Sequence, residues 1–147
     1  MERSESFSVT LTEEVRREIK LTTKDIDDIM TAALNAGIGH WCVGVGIMAN
    51  CGGSDCCAEQ IARGGILNLR AKHLDALMRV DDGPLYDCML DLNRFLMGLK
   101  DACDVAGIHE RYDILQSDGT LNVSSIDPAC ADEIIQFSIW GDVIYDR

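Results

Sequence analysis

Residues 22–48 constrain the fold most, because a capped helical pattern runs directly into a strand pattern. Thr22 and Asp25 have the spacing of an acidic capping box, which predicts that a helix begins here. Gly37 is well placed to end that helix. The apolar side chains between these points fall on one helical stripe: Ile26, Ile29, Met30, Ala33 and Leu34.

The strand pattern after this helix has one bulky and one slim face, and glycines on the slim face would let another backbone or helix come close. The bulky side is Trp41, Val43, Val45 and Ile47, and the slim side is Cys42, Gly44, Gly46 and Met48. A helix next to such a strand is typical of a mixed fold.

Further elements follow along the chain. Residues 66–70 and 85–90 are predicted strands, a second helix runs from near Asp91 to Gly107, and Asp127-Pro128 starts a third that Gly141 ends. The sequence therefore predicts a single compact α+β domain over residues 1–147, with about three main helices packed on a small antiparallel sheet. Residues 1–20 remain ambiguous between an edge strand and a loosely attached arm.

Length and composition predict a cytoplasmic protein. A chain of 147 residues can bury a core without staples. The start, MERSESFSVT, has no apolar segment typical of a secretory signal, and no uncharged apolar run is long enough to span a bilayer. Seven cysteines without a signal indicate a reducing compartment and not a disulfide framework.

The stretch from His40 to Cys57, HWCVGVGIMANCGGSDCC, holds four of the seven cysteines and suggests a bound metal ion. Structural zinc takes four cysteine or histidine ligands in a tetrahedron. The best set is His40, Cys42, Cys51 and Cys56, with Cys57 able to replace one of them. The spacing is not that of a CxxC knuckle, so thiols that bind no metal are the alternative.

The same stretch admits a thiol enzyme. Ser54 and Asp55 would cap a short helix through Ala62, whose dipole would favour a thiolate at Cys56 or Cys57. His40 could then serve as the base. No third catalytic group is evident, and dinucleotide, P-loop, HExxH and calcium-loop motifs are missing from the sequence. His73 and His109 lie among charged neighbours and are expected at the surface.

Charge is distributed unevenly in a chain of net charge −12. Positions 1–80 carry 9 basic and 11 acidic side chains, whereas positions 81–147 carry 4 basic and 14 acidic ones, a balance of −10. Such a surface repels phosphate and disfavours direct binding of nucleic acid. It would instead attract a basic partner protein, and simple solubility is the alternative explanation.

Three segments resemble a family of small, uncharacterised acidic proteins of phages and mobile elements in Firmicutes. They are LTTKDIDDIMTAALNAGIGHWC (21–42), AEQIARGGILNL (58–69) and ADEIIQFSIWGDVIYD (131–146). The resemblance implies a setting in which such proteins inhibit host defence, as anti-CRISPR proteins do. The expected function is then a non-enzymatic inhibitor that binds a host CRISPR effector nuclease and blocks nucleic-acid loading, with a structural zinc.

Acidic side chains would form the partner surface, chosen by charge and expected exposure. They are Asp81, Asp82, Asp87, Asp101, Asp104, Asp132, Glu133 and Asp142. Two alternatives remain: a structural or regulatory protein that acts by self-association, and a cysteine-dependent enzyme. The sequence leaves the oligomeric state open.

Overall fold

The computed structural model describes residues 6–12, 18–51, 55–72 and 86–145. The described part begins with two strands and a helix, continues with three strands and ends with helices. The strands are β1 (Ser6–Thr10), β2 (Glu18–Thr22), β3 (Cys42–Ala49), β4 (Ile66–Ala71) and β5 (Tyr86–Leu90), and the α-helices are α1 (Thr23–Ala32), α2 (Leu92–Ala106), α3 (Ile108–Arg111) and α4 (Pro128–Trp140). A π-helical turn at Ala33–Gly37 extends α1, and short 3₁₀ turns lie at Cys57–Glu59, Ile61–Arg63 and Val123–Ser125.

The strands form two antiparallel sheets instead of the one that was predicted. β1 pairs with β2, and the order of the second sheet is β3-β4-β5. The α+β class of a single domain is confirmed. The three longer helices, α1, α2 and α4, match the predicted ones.

Helix ends follow the local sequence signals. Thr22 caps α1 in a reciprocal capping box with Asp25. Asp91 and Asp127 cap α2 and α4 through their side chains, while Gly107 and Gly141 follow the last turns in the left-handed conformation. These interactions lie within a few residues of each other, which is why the sequence alone predicts them.

The β1–β2 hairpin belongs to the core, so within the described residues the strand reading of 1–20 is correct and the loose arm is not. Val9, Leu11, Ile19 and Leu21 are buried and join one hydrophobic cluster with the helices. Residues 1–5 and 13–17 of this segment lie outside the described part of the chain.

Among the described residues, the helices cover one face of sheet β3-β4-β5. Leu67, Leu69 and Leu90 are fully buried against the helices, whereas Arg70 and Asp87 are exposed on the other face. No atom of the described residues lies within 4 Å of a Cβ placed on Gly46, so none of them is the neighbour expected on the slim face of β3 at this position.

Candidate functional site

The residues predicted to bind zinc lie at the two ends of β3. His40 and Cys42 lie at its start, and Cys51 follows its end. Eight extended residues span about 23 Å, far beyond the reach of ligands that share one ion. The structure therefore does not bring the predicted set of His40, Cys42, Cys51 and Cys56 together.

Zinc itself stays a prediction. Within the described residues no three His, Cys, Asp or Glu side chains are grouped as metal ligands require. All seven cysteines lie in this part of the chain, and all are thiols. Elemental analysis of untagged protein, followed by melting with and without chelator, tests whether zinc binds.

His40 is held by a buried carboxylate instead. Its Nε2 lies 2.8 Å from Oδ2 of Asp132. Trp41 Nε1 donates to Oδ1 of the same side chain at 2.7 Å, and Gln136 Nε2 donates to that oxygen at 3.1 Å. Asp132 is only 1% exposed, so its predicted place on an accessible acidic surface is wrong. The carboxylate faces inward because the indole and amide donors are there to bind it.

The same network ties the end of the chain to the core. Gln136 Oε1 accepts hydrogen bonds from the backbone of Ile144 and Tyr145. The Tyr145 ring stacks on Trp41 at a centroid distance of 5.6 Å, and its hydroxyl donates to the Lys72 carbonyl. The arrangement anchors the start of β3 between α4 and the C-terminal segment. The buried polar network of Asp132 and Gln136 therefore has a structural role.

The geometry does not assemble the thiol enzyme that the sequence allows. His40 binds Asp132 at the opposite end of β3 from Cys56 and Cys57, so it is not positioned as their base. The expected capped helix through Ala62 consists of two short 3₁₀ turns, which lack the aligned dipoles of several helical turns. The enzyme alternative therefore gains no geometric support.

Burial makes several other thiols poor nucleophiles. It raises the pKa of Cys42 and of Cys88 above the usual value for a thiol. Burial likewise raises the pKa of Cys130, which lies on the core side of α4. Because the thiolate is the reactive form, a raised pKa makes these side chains weaker nucleophiles at neutral pH than an ordinary thiol. Cys103 is buried on α2.

Some of the predicted partner-binding acids are accessible. Asp87 and Asp142 are exposed and Asp101 is half-buried, whereas Asp81 and Asp82 lie outside the described residues. Asp87 lies 3.4 Å from the Arg70 guanidinium. These side chains remain a prediction for partner binding.

Two further members of that set are engaged within the fold. Asp104 accepts from the Thr12 backbone at 3.0 Å and from Lys100 Nζ at 2.7 Å, which ties the end of β1 to α2. Burial opposes ionisation of Asp104, but these hydrogen bonds outweigh it and lower its pKa. Glu133 accepts from both Arg111 and Tyr112 at 2.6 Å, and only 15% of its side chain is exposed.

An acidic groove that the sequence does not reveal lies beside the β1–β2 hairpin. It consists of two adjoining concavities of about 520 Å³ and about 290 Å³. Ser117 and Asp118 line both, so the two concavities lie next to each other. The remaining lining residues are Glu18, Lys20, Asp113, Leu115, Gln116, Gly119 and Asn122. Three carboxylates against one lysine give the groove a negative balance.

The groove is assembled by contacts between distant segments. The Lys20 N–H donates to the Gly119 carbonyl at 2.8 Å and so joins β2 to the turn at 117–119. Thr120 donates from its backbone and from its hydroxyl to Asp118, and the hydroxyl bond is the main cause that lowers the pKa of Asp118. Asp118 is consequently ionised well into the acidic range. Asp118-Gly119 is a turn signal in the sequence. The sequence does not show that this turn lies against β2 beside Glu18.

One histidine expected at the surface is buried. His109 is 4% exposed on α3, and its Nε2 lies 3.7 Å from a Glu110 carboxylate oxygen. Charged neighbours in sequence misled the prediction, because a short helix turned this side chain inward. His73 lies outside the described residues.

No protein family, curated protein or solved structure matches this chain. In the part of the chain that the structure describes, no helix is both long and apolar enough to cross a membrane. The site must therefore be interpreted from its own chemistry.

Proposed function

We propose that this protein is a non-enzymatic inhibitor that uses the acidic groove to dock on a basic protein surface which normally receives nucleic acid. The groove is the observation that carries the proposal. It places Glu18, Asp113 and Asp118 on one open surface of a chain whose net charge is −12. Charge of this sign steers association with a basic partner and repels nucleic acid.

The chemistry of the groove suits arginine and lysine side chains. Its carboxylates accept charge-assisted hydrogen bonds from guanidinium groups. Gln116 and Asn122 add amide oxygens, and Ser117 adds a hydroxyl, which can accept from further donors. A groove with these acceptors supports docking on basic side chains better than it supports catalysis.

The scaffold supports docking because it holds the groove in place. The hairpin side is fixed by buried Ile19 and Leu21. The loop side is fixed by Leu121 in the core and by the Asn122 N–H, which donates to the Ile114 carbonyl at 2.7 Å. A preorganised surface loses less conformational entropy when it binds.

A CRISPR effector nuclease as the partner is a proposal that depends on the sequence resemblance alone. Such an enzyme has a positively charged channel for its guide and target strands. An acidic protein seated there would compete with nucleic acid, and its binding would weaken as salt rises. Partner identity and docking chemistry are therefore tested separately.

The test compares two triple variants that remove the same charge. Glu18→Gln/Asp113→Asn/Asp118→Asn neutralises the groove, and asparagine tolerates the positive φ of 54° at position 113. Asp28→Asn/Asp55→Asn/Glu59→Gln is the control, since these side chains do not line the groove. Affinity is measured against an arginine-rich peptide and against a CRISPR effector nuclease, over a salt series and with guide RNA as competitor.

We expect the groove variant to bind about tenfold more weakly and the control variant to change little. Equal losses in both variants would mean that net charge acts without the groove. A larger loss from neutralising Asp87, Asp101 and Asp142 would assign docking to the surface predicted from sequence. Binding to the peptide without binding to the nuclease would reject the CRISPR partner and keep the docking chemistry.

A further inference from the structure

Strand β3 lies at the edge of its sheet and has the features of a strand that pairs further. Within the described residues its only strand partner is β4, on one side. Its apolar side chains are unusually accessible: Val43 is 51%, Val45 37% and Met48 60% exposed. An edge strand with exposed apolar side chains is a template for another strand.

The usual protection of an edge by charge is missing here. Residues 29–54 contain no Asp, Glu, Lys or Arg, although the chain as a whole is strongly charged. β3 contains no proline either. The charged residues on the open face of the next two strands, Arg70 and Asp87, neutralise each other.

Two irregularities limit how much of the edge can pair. The β3–β4 register shifts between Cys42 and Gly44 and again between Ile47 and Ala49. The regular stretch is therefore Gly44–Ile47, with Val45 near its centre. Bulges of this kind prevent long continuous pairing, so the edge is suited to one short and defined contact.

We propose that β3 binds the β3 strand of a second copy of this chain, antiparallel and about a twofold axis at Val45. Charge identifies the occupant. Two copies of net charge −12 repel one another, so they must meet where neither copy carries charge, and β3 is such a place on both. A basic partner would find no carboxylate on this strand to bind.

The register follows from the side chains. A twofold axis perpendicular to the sheet keeps the helix-covered faces of both copies on the same side, so residues of the same face must lie opposite each other. Val45 shares the covered face with Leu69 and Cys88, its partners across the sheet. Pairing at the axis sets Val45 opposite its own copy and Gly44 opposite Gly46, and the sheet then has six strands.

This interface is separate from the acidic groove, and salt distinguishes the two. Screening weakens attraction between the groove and a basic partner. The same screening weakens repulsion between two acidic copies, so self-association should strengthen as salt rises. Failure of one proposal therefore leaves the other open to its own test.

The experiment measures the mass of the wild-type chain by sedimentation equilibrium from low micromolar to millimolar concentration, at low and high salt. Val45→Lys and Val45→Glu place like charges opposite each other in a dimer. Met97→Lys and Met97→Glu are matched controls, because Met97 is 64% exposed on α2, away from the sheet. Circular dichroism and melting verify that every variant folds.

We expect a wild-type dimer that strengthens with salt, and a dissociation constant raised about tenfold or more by either Val45 variant. An equal mixture of Val45→Lys and Val45→Glu chains should restore dimers, because opposite charges then face each other. The Met97 variants should dimerise as the wild type does. A wild-type chain that stays monomeric at every concentration and salt overturns the proposal and leaves the edge to a strand of another protein. Dimers that survive both Val45 variants would also overturn it.

Discussion

The two sheets of this protein use charge in opposite ways. The β1–β2 hairpin lies beside an exposed acidic groove and is tied to α2 by the Thr12–Asp104–Lys100 hydrogen bonds at the surface. The β3-β4-β5 sheet has an uncharged edge strand, whose start is anchored by the buried Asp132. The groove beside the hairpin exposes its carboxylates, whereas the carboxylate of Asp132, which anchors the start of β3, is buried.

The difference shows that the position of a carboxylate, and not its presence, decides its role. Water solvates an exposed carboxylate, so it contributes little to stability and remains available to a partner. A buried carboxylate must have its hydrogen bonds satisfied within the fold, and losing it leaves other buried groups without partners. Asp142 and Asp132 belong to the same predicted surface in sequence, yet Asp142 is exposed and Asp132 is buried.

The largest effect should come from removing the buried carboxylate. Asp132→Ala removes the acceptor of the Trp41 indole N–H and one of the two acceptors of the Gln136 amide, so we expect unfolding free energy to fall by about 2–4 kcal/mol. Asp132→Asn retains an acceptor oxygen and should cost less. Urea denaturation followed by tryptophan fluorescence measures both. A loss from Asp132→Ala no greater than that from Asp104→Ala would break the comparison.

The next effect should come from the turn that closes the groove. Gly119 has a φ of +89°, and a Cβ there would lie 2.7 Å from the Glu18 carbonyl oxygen. Gly119→Ala should therefore lower stability by about 1–3 kcal/mol and displace the turn from β2. Thermal melting gives the stability, and peptide affinity reports the groove. Unchanged values of both would show that the turn does not depend on this close approach.

A smaller, pH-dependent effect should come from the hydrogen bonds that Asp104 accepts from Thr12 and Lys100. The folded pKa of Asp104 lies below its usual value, so its stabilisation is present above the unfolded pKa of 3.8 and is lost as pH falls through the folded value. Asp104→Asn should cost about 1 kcal/mol at neutral pH and little at strongly acidic pH. Parallel melting curves from neutral to acidic pH measure this. A constant difference between variant and wild type across that range would contradict the assignment.

The smallest effect should come from the uncharged edge. Within the described residues, Gly46 has no neighbour within 4 Å of its Cβ position, so Gly46→Ala should leave stability unchanged or raise it by about 0.5 kcal/mol. Thermal melting beside Gly119→Ala provides the comparison between a confined and an open glycine. A clear loss of stability would indicate that something does cover the face of β3.

Sequence signals predicted much of the secondary structure because the interactions behind them are local. The capping box at Thr22, the cap at Asp127, the start of a helix near Asp91 and the glycine ends at 107 and 141 were all found as expected. Strands β4 and β5 agree with the predictions to within one residue at each end. Alternation and capping both act over a few residues.

Site predictions failed where distance in space decided the outcome. His40, Cys42, Cys51 and Cys56 are close in sequence, but an extended strand carries its two ends apart. The exposure of Asp132 was inferred from its charge, whereas its environment is set by donors about ninety residues earlier in the chain. The groove was missed because Glu18 and Asp118 meet only through pairing of distant segments.

The sequence by itself determined the α+β class, the three longer helices and the excess of negative charge, because composition and local hydrogen bonds specify them. Only the tertiary structure decided that the described strands form two sheets, that Asp132 is buried while Asp118 is exposed, and that Cys42 lies at the start of β3 while Cys51 follows its end. The physical reason is that burial and proximity depend on which distant segments pack together, and no short-range pattern records that choice.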